Sequence, residues 1–324
     1  MNGKSTNKKV LLLGATGYIG QAFAAELQER GAPFYALSRK ELDYTRFDLL
    51  WNHLKEAQPE FVINAAGYTG LPNVDACETA RAETLLGNTL FPQTLAQACL
   101  ATDTPYGHVS SGCIYSGAKV IQNGVTHIEP DLTKPEVRQL LSEKPEAFTG
   151  FTENDPPNFT FRSPPCSFYS GTKALAEEVM HGMGSGYLWR LRIPFDQFNN
   201  PRNYLTKVQT YARVYENVNS ISHRHDFVRA CLDLWQLRAP FGTYNVTNPG
   251  WITTRQVIGL IEKHLKPTRK FEFWTDDSEF YKLGAKAPRS NCIMDSSKLL
   301  QAGVTIRTVE DALDHSLQNW IPSR

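Results

Sequence analysis

Tyr169 and Lys173 stand four residues apart in Ser167-Phe168-Tyr169-Ser170-Gly171-Thr172-Lys173, ahead of a run with no proline and no glycine until Gly182. That run favours helix, and residues four apart on a helix share a face. A lysine ammonium beside a phenol favours the phenolate, so the pair is expected to lower the tyrosine pKa from about 10. Such a phenol suits proton exchange with a carbonyl oxygen that becomes an alcohol. A Tyr-x-x-x-Lys pair alone is weak, because many surface helices carry one, so the elements around it must decide.

The first of those elements is Val10–Leu13, a short apolar run without alternation, as expected for a strand buried on both faces of a parallel sheet. Gly14-Ala15-Thr16-Gly17-Tyr18-Ile19-Gly20 follows it, then helical periodicity from Gln21 to Arg30, stopped by Gly31. The first two glycines permit a tight turn and close approach to a diphosphate. The third lets the helix pack closely on the strand, and the helix N-terminus attracts the anion. The second strand, Phe34–Leu37, ends in Ser38-Arg39-Lys40. An acidic residue there would favour NAD; the basic tip suits the 2′-phosphate of NADP. Asp43-Tyr44 comes next, as a position that could hold adenine.

Phe61–Asn64 reads as another buried strand, opening into Ala65, Ala66 and Gly67, small enough for a cofactor to approach the backbone. A long helix is predicted from about Asp75 to Ala101, with Asn88 inside it. The following strand, Tyr106 to Ser110, ends in Ser110-Ser111-Gly112-Cys113, and strand carboxyl ends are where parallel sheets bind ligands. Residues 117–165 are proline-rich and predicted irregular, with a short helix near Pro135 to Ser142. A connection of that length is usually functional or mobile, and it is expected to close over the site as a lid. A strand at Tyr187–Arg192 precedes Ile193-Pro194. Helices are predicted near Tyr204 to Tyr215, Asp226 to Arg238, Thr254 to Leu265 and Val309 to Trp320, with a strand at Gly242–Val246.

The alternation predicts an α/β fold, a Rossmann-type doubly wound parallel sheet with a smaller C-terminal α/β substrate domain. The dinucleotide-binding part is placed at 1–192 plus about 222–247, and the nucleotide-sugar part at 193–221 and 248–324. The chain has 324 residues and a formal net charge of +1, which gives no electrostatic reason to expect nucleic acid or an anionic membrane as partner. Cys77, Cys99, Cys113, Cys166, Cys231 and Cys292 are scattered without metal-ligand spacing, so no metal is expected and free thiols in a reducing compartment are. Met1 to Lys9 is polar and the apolar run after it is too short for a signal peptide or span, so a cytoplasmic protein is expected.

Together, Gly14/Gly17/Gly20, Asn64-Ala65-Ala66-Gly67, Ser111 and Tyr169/Lys173 resemble an extended short-chain dehydrogenase/reductase across nearly the whole chain. Within that superfamily the chain is similar to 4-keto-sugar reductases of the dTDP-4-dehydrorhamnose reductase type. It looks closer still to the nucleotide-rhamnose synthase/epimerase-reductases, which act on a UDP-4-keto-6-deoxy sugar. Gly70-Leu71-Pro72-Asn73-Val74-Asp75, Gly112-Cys113-Ile114 and Pro157-Asn158-Phe159-Thr160 carry that likeness. Asn200-Pro201-Arg202-Asn203, Thr206-Lys207, Thr247-Asn248-Pro249-Gly250 and Ala287-Pro288-Arg289-Ser290-Asn291 extend it. Residues 116–151 look longer than in that family, and 161–166 add length before the tyrosine; both would reshape a sugar pocket.

The resemblance implies NADPH-dependent reduction at C4, with NADH left open, and 3,5-epimerisation of a nucleotide-linked 4-keto-6-deoxy sugar. It implies Ser111, Cys113, Tyr169, Lys173 and Lys207 as catalytic, with Cys113 as base and Lys207 as acid on the opposite face. Cofactor contacts would be Gly14, Thr16, Gly17, Tyr18, Ile19, Gly20, Ser38, Arg39, Asp43, Ala65, Ala66, Gly67, Lys173 and Pro194. Substrate contacts would be Thr69, Asn203 and Arg289, and a homodimer is a possible assembly. A simple 4-reductase, a GDP-L-fucose-synthase-like enzyme and a non-catalytic nucleotide-binding regulatory subunit are the alternatives. Gly112 and Cys113 stand where a 4,6-dehydratase would carry an acid pair, and intact Ser111, Tyr169 and Lys173 count against lost catalysis.

Overall fold

The computed structural model describes residues 9–322; the polar leader 1–8 and residues 323–324 lie outside the described residues. In chain order the strands are β1 (Val10–Leu13), β2 (Phe34–Leu37), β3 (Phe61–Asn64), β4 (Tyr106–Ser111), the short β5 (Ala118–Gln122), β6 (Val125–Glu129) and β7 (Phe148–Thr149), and β8 (Gly186–Leu191). A six-stranded sheet runs in the order Gly242–Asn245, β8, β4, β3, β1, β2, and every pair is parallel. β1 is buried at all four positions, as its unbroken apolar run requires. Val10 and Leu12 pack with α1 (Tyr18–Glu29) and with the helix Arg224–Gln236 on one face. Leu11 and Leu13 pack on the other with α2 (Phe47–Ala57) and the helix Phe91–Ala101. Helices on both faces make the sheet doubly wound. The chain passes from β1 outward to β2 and returns to β3 on the other side of β1. That reversal opens a crevice at the carboxyl ends of β1 and β3.

A second core gathers Phe195, Leu205, Val208, Ile252, Val257, Ile261, Val309 and Leu313. Its helices begin with side-chain caps: Thr253 and Gln256 form a reciprocal capping box, and Thr308 accepts from Asp311 N–H. Leu299 and Val304, late in the chain, return to pack against the sheet core. Among the described residues no helix is long and apolar enough to cross a membrane.

Two expectations are corrected. The single helix from Asp75 to Ala101 is four pieces: a 3-10 turn at Val74–Glu78, α3 (Arg81–Leu85), a π turn at Leu86–Leu90 and α4 (Phe91–Ala101). Pro92 has no N–H to bond the carbonyl of Asn88 four residues back, and the wider turn absorbs the missing bond. Residues 117–165 are folded. β6, β5 and β7 form an antiparallel sheet beside α5 (Pro135–Glu143), where the short helix was predicted. Val120, Leu132, Val137, Leu141 and Phe148 share a core with Val218 and Ile293.

Candidate active site

A cleft of ≈ 740 Å³ opens at the carboxyl ends of the parallel strands, between the two cores. Gly17, Tyr18, Ile19, Ala65, Ala66, Gly67, Ser111, Cys113, Tyr169 and Lys173 line its sheet side, and Thr69, Pro194, Lys207 and Arg289 its other walls. Residues scattered over the sequence from 17 to 289 thus meet in one space. No residue of 117–165 lines it, so the expected lid has no part in its walls.

At the cofactor end, Gly14 has φ +78°, and a side chain there would collide with the backbone of Ala65 and Ala66. A side chain at Gly20 would strike the Gly14 carbonyl, so both glycines are required by close approach. They lie behind the cleft wall, as does Thr16, whose carbonyl accepts from Gln21. Helix α1 begins at Gly17 with no side-chain cap and no acid in its first turn. Its free N–H groups therefore face the cleft, a donor set that fits a diphosphate.

The β2 tip holds a group that sequence reading overlooked. Ser38 donates from both its N–H and its hydroxyl to Glu41 Oε2, at 2.9 and 2.7 Å, which holds the Glu41 carboxyl below its usual range. Arg39 is exposed, makes no hydrogen bond or ion pair among the described residues, and, like Ser38, does not line the cleft. Asp43 does not reach the cleft; its carboxylate accepts from Thr45 N–H and hydroxyl, and Tyr44 is buried against Phe91.

At the reacting end, α6 (Phe168–Met180) is capped by Ser167, whose hydroxyl accepts from Ser170 N–H. Tyr169 and Lys173 follow within its first two turns and share the cleft-facing side. The Tyr169 phenol is not lowered as expected. Burial pushes it well above its ordinary value, the neighbouring Cys113 adds to that, and a hydrogen bond with Ser111 opposes it. Burial pushes Lys173 down to about 8, against the pull of Glu177 and Cys113, and its ammonium donates to Val109 O at 3.2 Å. Burial thus dominates at the phenol and leaves Tyr169 a proton donor at neutral pH. Cys113 N–H donates to Ser111 Oγ at 3.2 Å, which ties the two side-chain positions together at the end of β4. Lys207, on α7 (Tyr204–Thr210), is half-buried and pushed down by that burial and by Arg202.

Two of the three expected substrate residues are engaged within the protein, and the third is withdrawn. Thr69 Oγ1 accepts from Arg202 Nη1 at 3.0 Å. Arg289 forms a bidentate pair with Asp75, at 2.6 and 2.8 Å. Asn203 is fully buried as the cap of α7: its Oδ1 accepts from Leu205 N–H, and its amide donates to Asp196 and Phe198. It does not line the cleft.

Asn88, in the π turn, carries more than its sequence position suggested. Its Oδ1 accepts from Tyr68 N–H and its Nδ2 donates to Tyr68 O, both at 2.8 Å, fixing the backbone beside Gly67 at the cleft edge. A buried amide in an otherwise apolar helical run was the signal, but its partner lies 20 residues away in sequence. Arg202, quoted in its motif without a role of its own, lines the cleft, and Arg192, given no role, lies behind the wall against Cys113.

Residues 8–321 match the RmlD substrate binding domain family. The chain is 30% identical over 314 residues to a trifunctional UDP-glucose 4,6-dehydratase/UDP-4-keto-6-deoxy-D-glucose 3,5-epimerase/UDP-4-keto-L-rhamnose-reductase of Arabidopsis thaliana. That match covers 96% of this chain but only 42% of the plant protein. It is 28% identical to the bifunctional dTDP-4-dehydrorhamnose 3,5-epimerase/dTDP-4-dehydrorhamnose reductase of the same plant, over 96% of this chain and 93% of that one. In fold it resembles the L780 UDP-rhamnose synthase of Acanthamoeba polyphaga mimivirus, with a TM-score of 0.80 at 24% identity over 96% of this chain and 99% of that one.

Proposed function

The chain belongs to the RmlD substrate binding domain family, and from that premise we propose that it reduces a nucleotide-linked 4-keto-6-deoxy sugar with NADPH and also inverts the sugar at C3 and C5. The favoured substrate is the UDP-linked sugar that leads to UDP-L-rhamnose. The observation that carries the reading is the meeting of Ser111, Cys113, Tyr169, Lys173 and Lys207 on the walls of one cleft beside an uncapped helix N-terminus.

When bound, the nicotinamide supplies the hydride that reduces C4. The α1 N-terminus and the glycine loop would hold the diphosphate, Ala65, Ala66 and Pro194 would flank the dinucleotide, and Arg39 would meet the 2′-phosphate. Tyr169, kept protonated by burial, gives its proton to the C4 oxygen as the alkoxide forms, and Ser111 donates to the same oxygen. Lys173 anchors that end of α6 through Val109.

Before reduction, the C4 ketone acidifies the protons on C3 and C5. Cys113 Sγ takes such a proton, the C–H electron pair moves into the enolate, and Ser111 and Tyr169 stabilise its oxygen. Lys207, lowered by burial, returns a proton to the opposite face. Thr69 and Arg289 bind the nucleotide sugar.

Deuterated water without NADPH provides the test. Wild type should exchange deuterium into C3 and C5 of the 4-keto sugar, and Cys113→Ser should not, since a hydroxyl is too weak a base at neutral pH. The variant should still reduce sugar supplied already epimerised. Absence of exchange in wild type would leave a simple 4-reductase. Exchange in Cys113→Ser at the wild-type rate would move the base elsewhere.

A further inference from the structure

Arg192, just beyond β8, is 1% exposed, yet no carboxylate pairs with it among the described residues. Its neighbours in burial are compensated: Arg190 meets Glu177 at 2.7 Å and Arg224 meets Asp196 at 2.9 Å. An unpaired buried charge is expensive, so its surroundings matter. Nη2 donates to Asn219 Oδ1 and, at 2.7 Å, to Ser290 O. Nη1 donates to Ser290 Oγ at 3.0 Å and to Cys113 Sγ at 3.4 Å, while Nε has no partner. All of these acceptors are neutral dipoles except one. Among the described residues Cys113 is the one hydrogen-bonded to the guanidinium that can become an anion.

The other titratable groups acting on Cys113 come from separate elements. Tyr169 and Lys173 approach from α6, and Cys292 from the strand-like segment behind it. Tyr169 and Cys292 are both pushed up by burial and stay neutral, while Lys173, pushed down to about 8, keeps its charge at pH 7. Of the two cations near the sulfur, Lys173 donates to Val109 O, and Arg192 is the one hydrogen-bonded to Cys113 Sγ.

We propose that Arg192 is a positioning residue that stabilises the Cys113 thiolate for proton abstraction, an inference that rests on Cys113 being the epimerisation base. The sulfur lone pair accepts the carbon-bound proton, the bond pair remains with the sugar as enolate, and the thiol later releases its proton to solvent. Arg192 touches no reacting atom; it acts through the sulfur.

Alkylation by iodoacetamide across pH, followed on the Cys113 peptide by mass spectrometry, tests this in the full chain. Cys166, half-buried and acted on by Glu78 and not by Arg192, serves as the internal control. Arg192→Gln should move the Cys113 profile to higher pH, read as a roughly tenfold slower reaction at pH 7, with Cys166 unmoved. Arg192→Lys should restore part of the shift. Asn219→Asp supplies the missing carboxylate while Arg192 is kept, and should move the profile the same way even if Arg192→Gln does not fold. Profiles for both variants that overlay wild type overturn the proposal. Deuterium exchange at C3 and C5 separates the two levels. Exchange in wild type with overlaid profiles removes Arg192 alone. Shifted profiles without exchange remove epimerisation and leave only the tuning of the thiol.

Discussion

Burial decides the protonation states in the cleft. Lys173 has a folded pKa near 8, below its ordinary 10.5, so between those values the unfolded chain binds more protons than the folded one. Its burial therefore costs stability at pH 7, and the cost fades as pH rises from about 8 to 10.5. The full shift corresponds to on the order of 3 kcal/mol. Lys173→Met should unfold at higher urea than wild type at pH 7, with the gap narrowing by pH 10, while activity is lost. A variant less stable than wild type at pH 7 would show that the bond to Val109 outweighs desolvation. At the β2 tip two opposite charges compete, Arg39 against the Glu41 carboxylate that Ser38 holds in place. Arg39→Ala should weaken NADPH by roughly 10- to 150-fold, the range of a charge-assisted contact, and NADH far less. Equal losses in a titration of both cofactors would take Arg39 away from the 2′-phosphate.

Among the elements, 117–165 differs most from its sequence-based expectation. Tyr115 stacks on Phe151 with ring centroids 4.7 Å apart, and the Tyr115 hydroxyl donates to Asp155 O at 2.7 Å, fastening the segment to the end of β4. Lys119 pairs with Asp155 at 2.7 Å and closes it on itself. With its own core and no residue in the cleft wall, it should keep the same hydrogen-exchange protection when NADPH and a UDP-sugar bind. Slower exchange confined to β5–β7 on binding would restore the lid. The reason sequence reading missed this sheet is visible in β6, which is exposed at four of its five positions and has no buried face to announce it. Elements packed on the main sheet were legible because one periodicity governed both their conformation and their burial: β1, β3, α1 and the helix Thr254–Leu265 fall within a few residues of expectation. Pro92, which breaks the helix at Asn88, was in plain view, but the bonds of Asn88 to Tyr68 across the fold were not legible. Asn203 misled for the same reason: its motif resembled a binding loop, while its atoms are spent on capping α7.

Across the whole molecule, two arginines tie the two cores over the cleft. Arg202 reaches from the second core to Thr69 and Gly70, and Arg289 reaches to Asp75. Burial pushes the Asp75 carboxyl up, but the Arg289 guanidinium and the N–H groups of Ala287 and Lys286 outweigh it and hold it below its usual range. That tie is present above the ordinary carboxylate pKa and is lost as pH falls through the lower folded value. Asp75 is also a negative charge within reach of the arginine proposed to bind an anionic diphosphate, so the tie and the ligand compete for one guanidinium. Arg289→Gln should weaken UDP binding by roughly 10- to 150-fold, and Asp75→Asn should strengthen it by removing the competing carboxylate, with NADPH affinity unchanged in both. Calorimetry with UDP and NADPH in turn measures each arm. If Asp75→Asn weakens UDP as much as Arg289→Gln does, Asp75 orients the arginine for the ligand and does not compete with it. If neither variant alters UDP binding, the ion pair only holds the two cores together, and the diphosphate is bound elsewhere along the cleft.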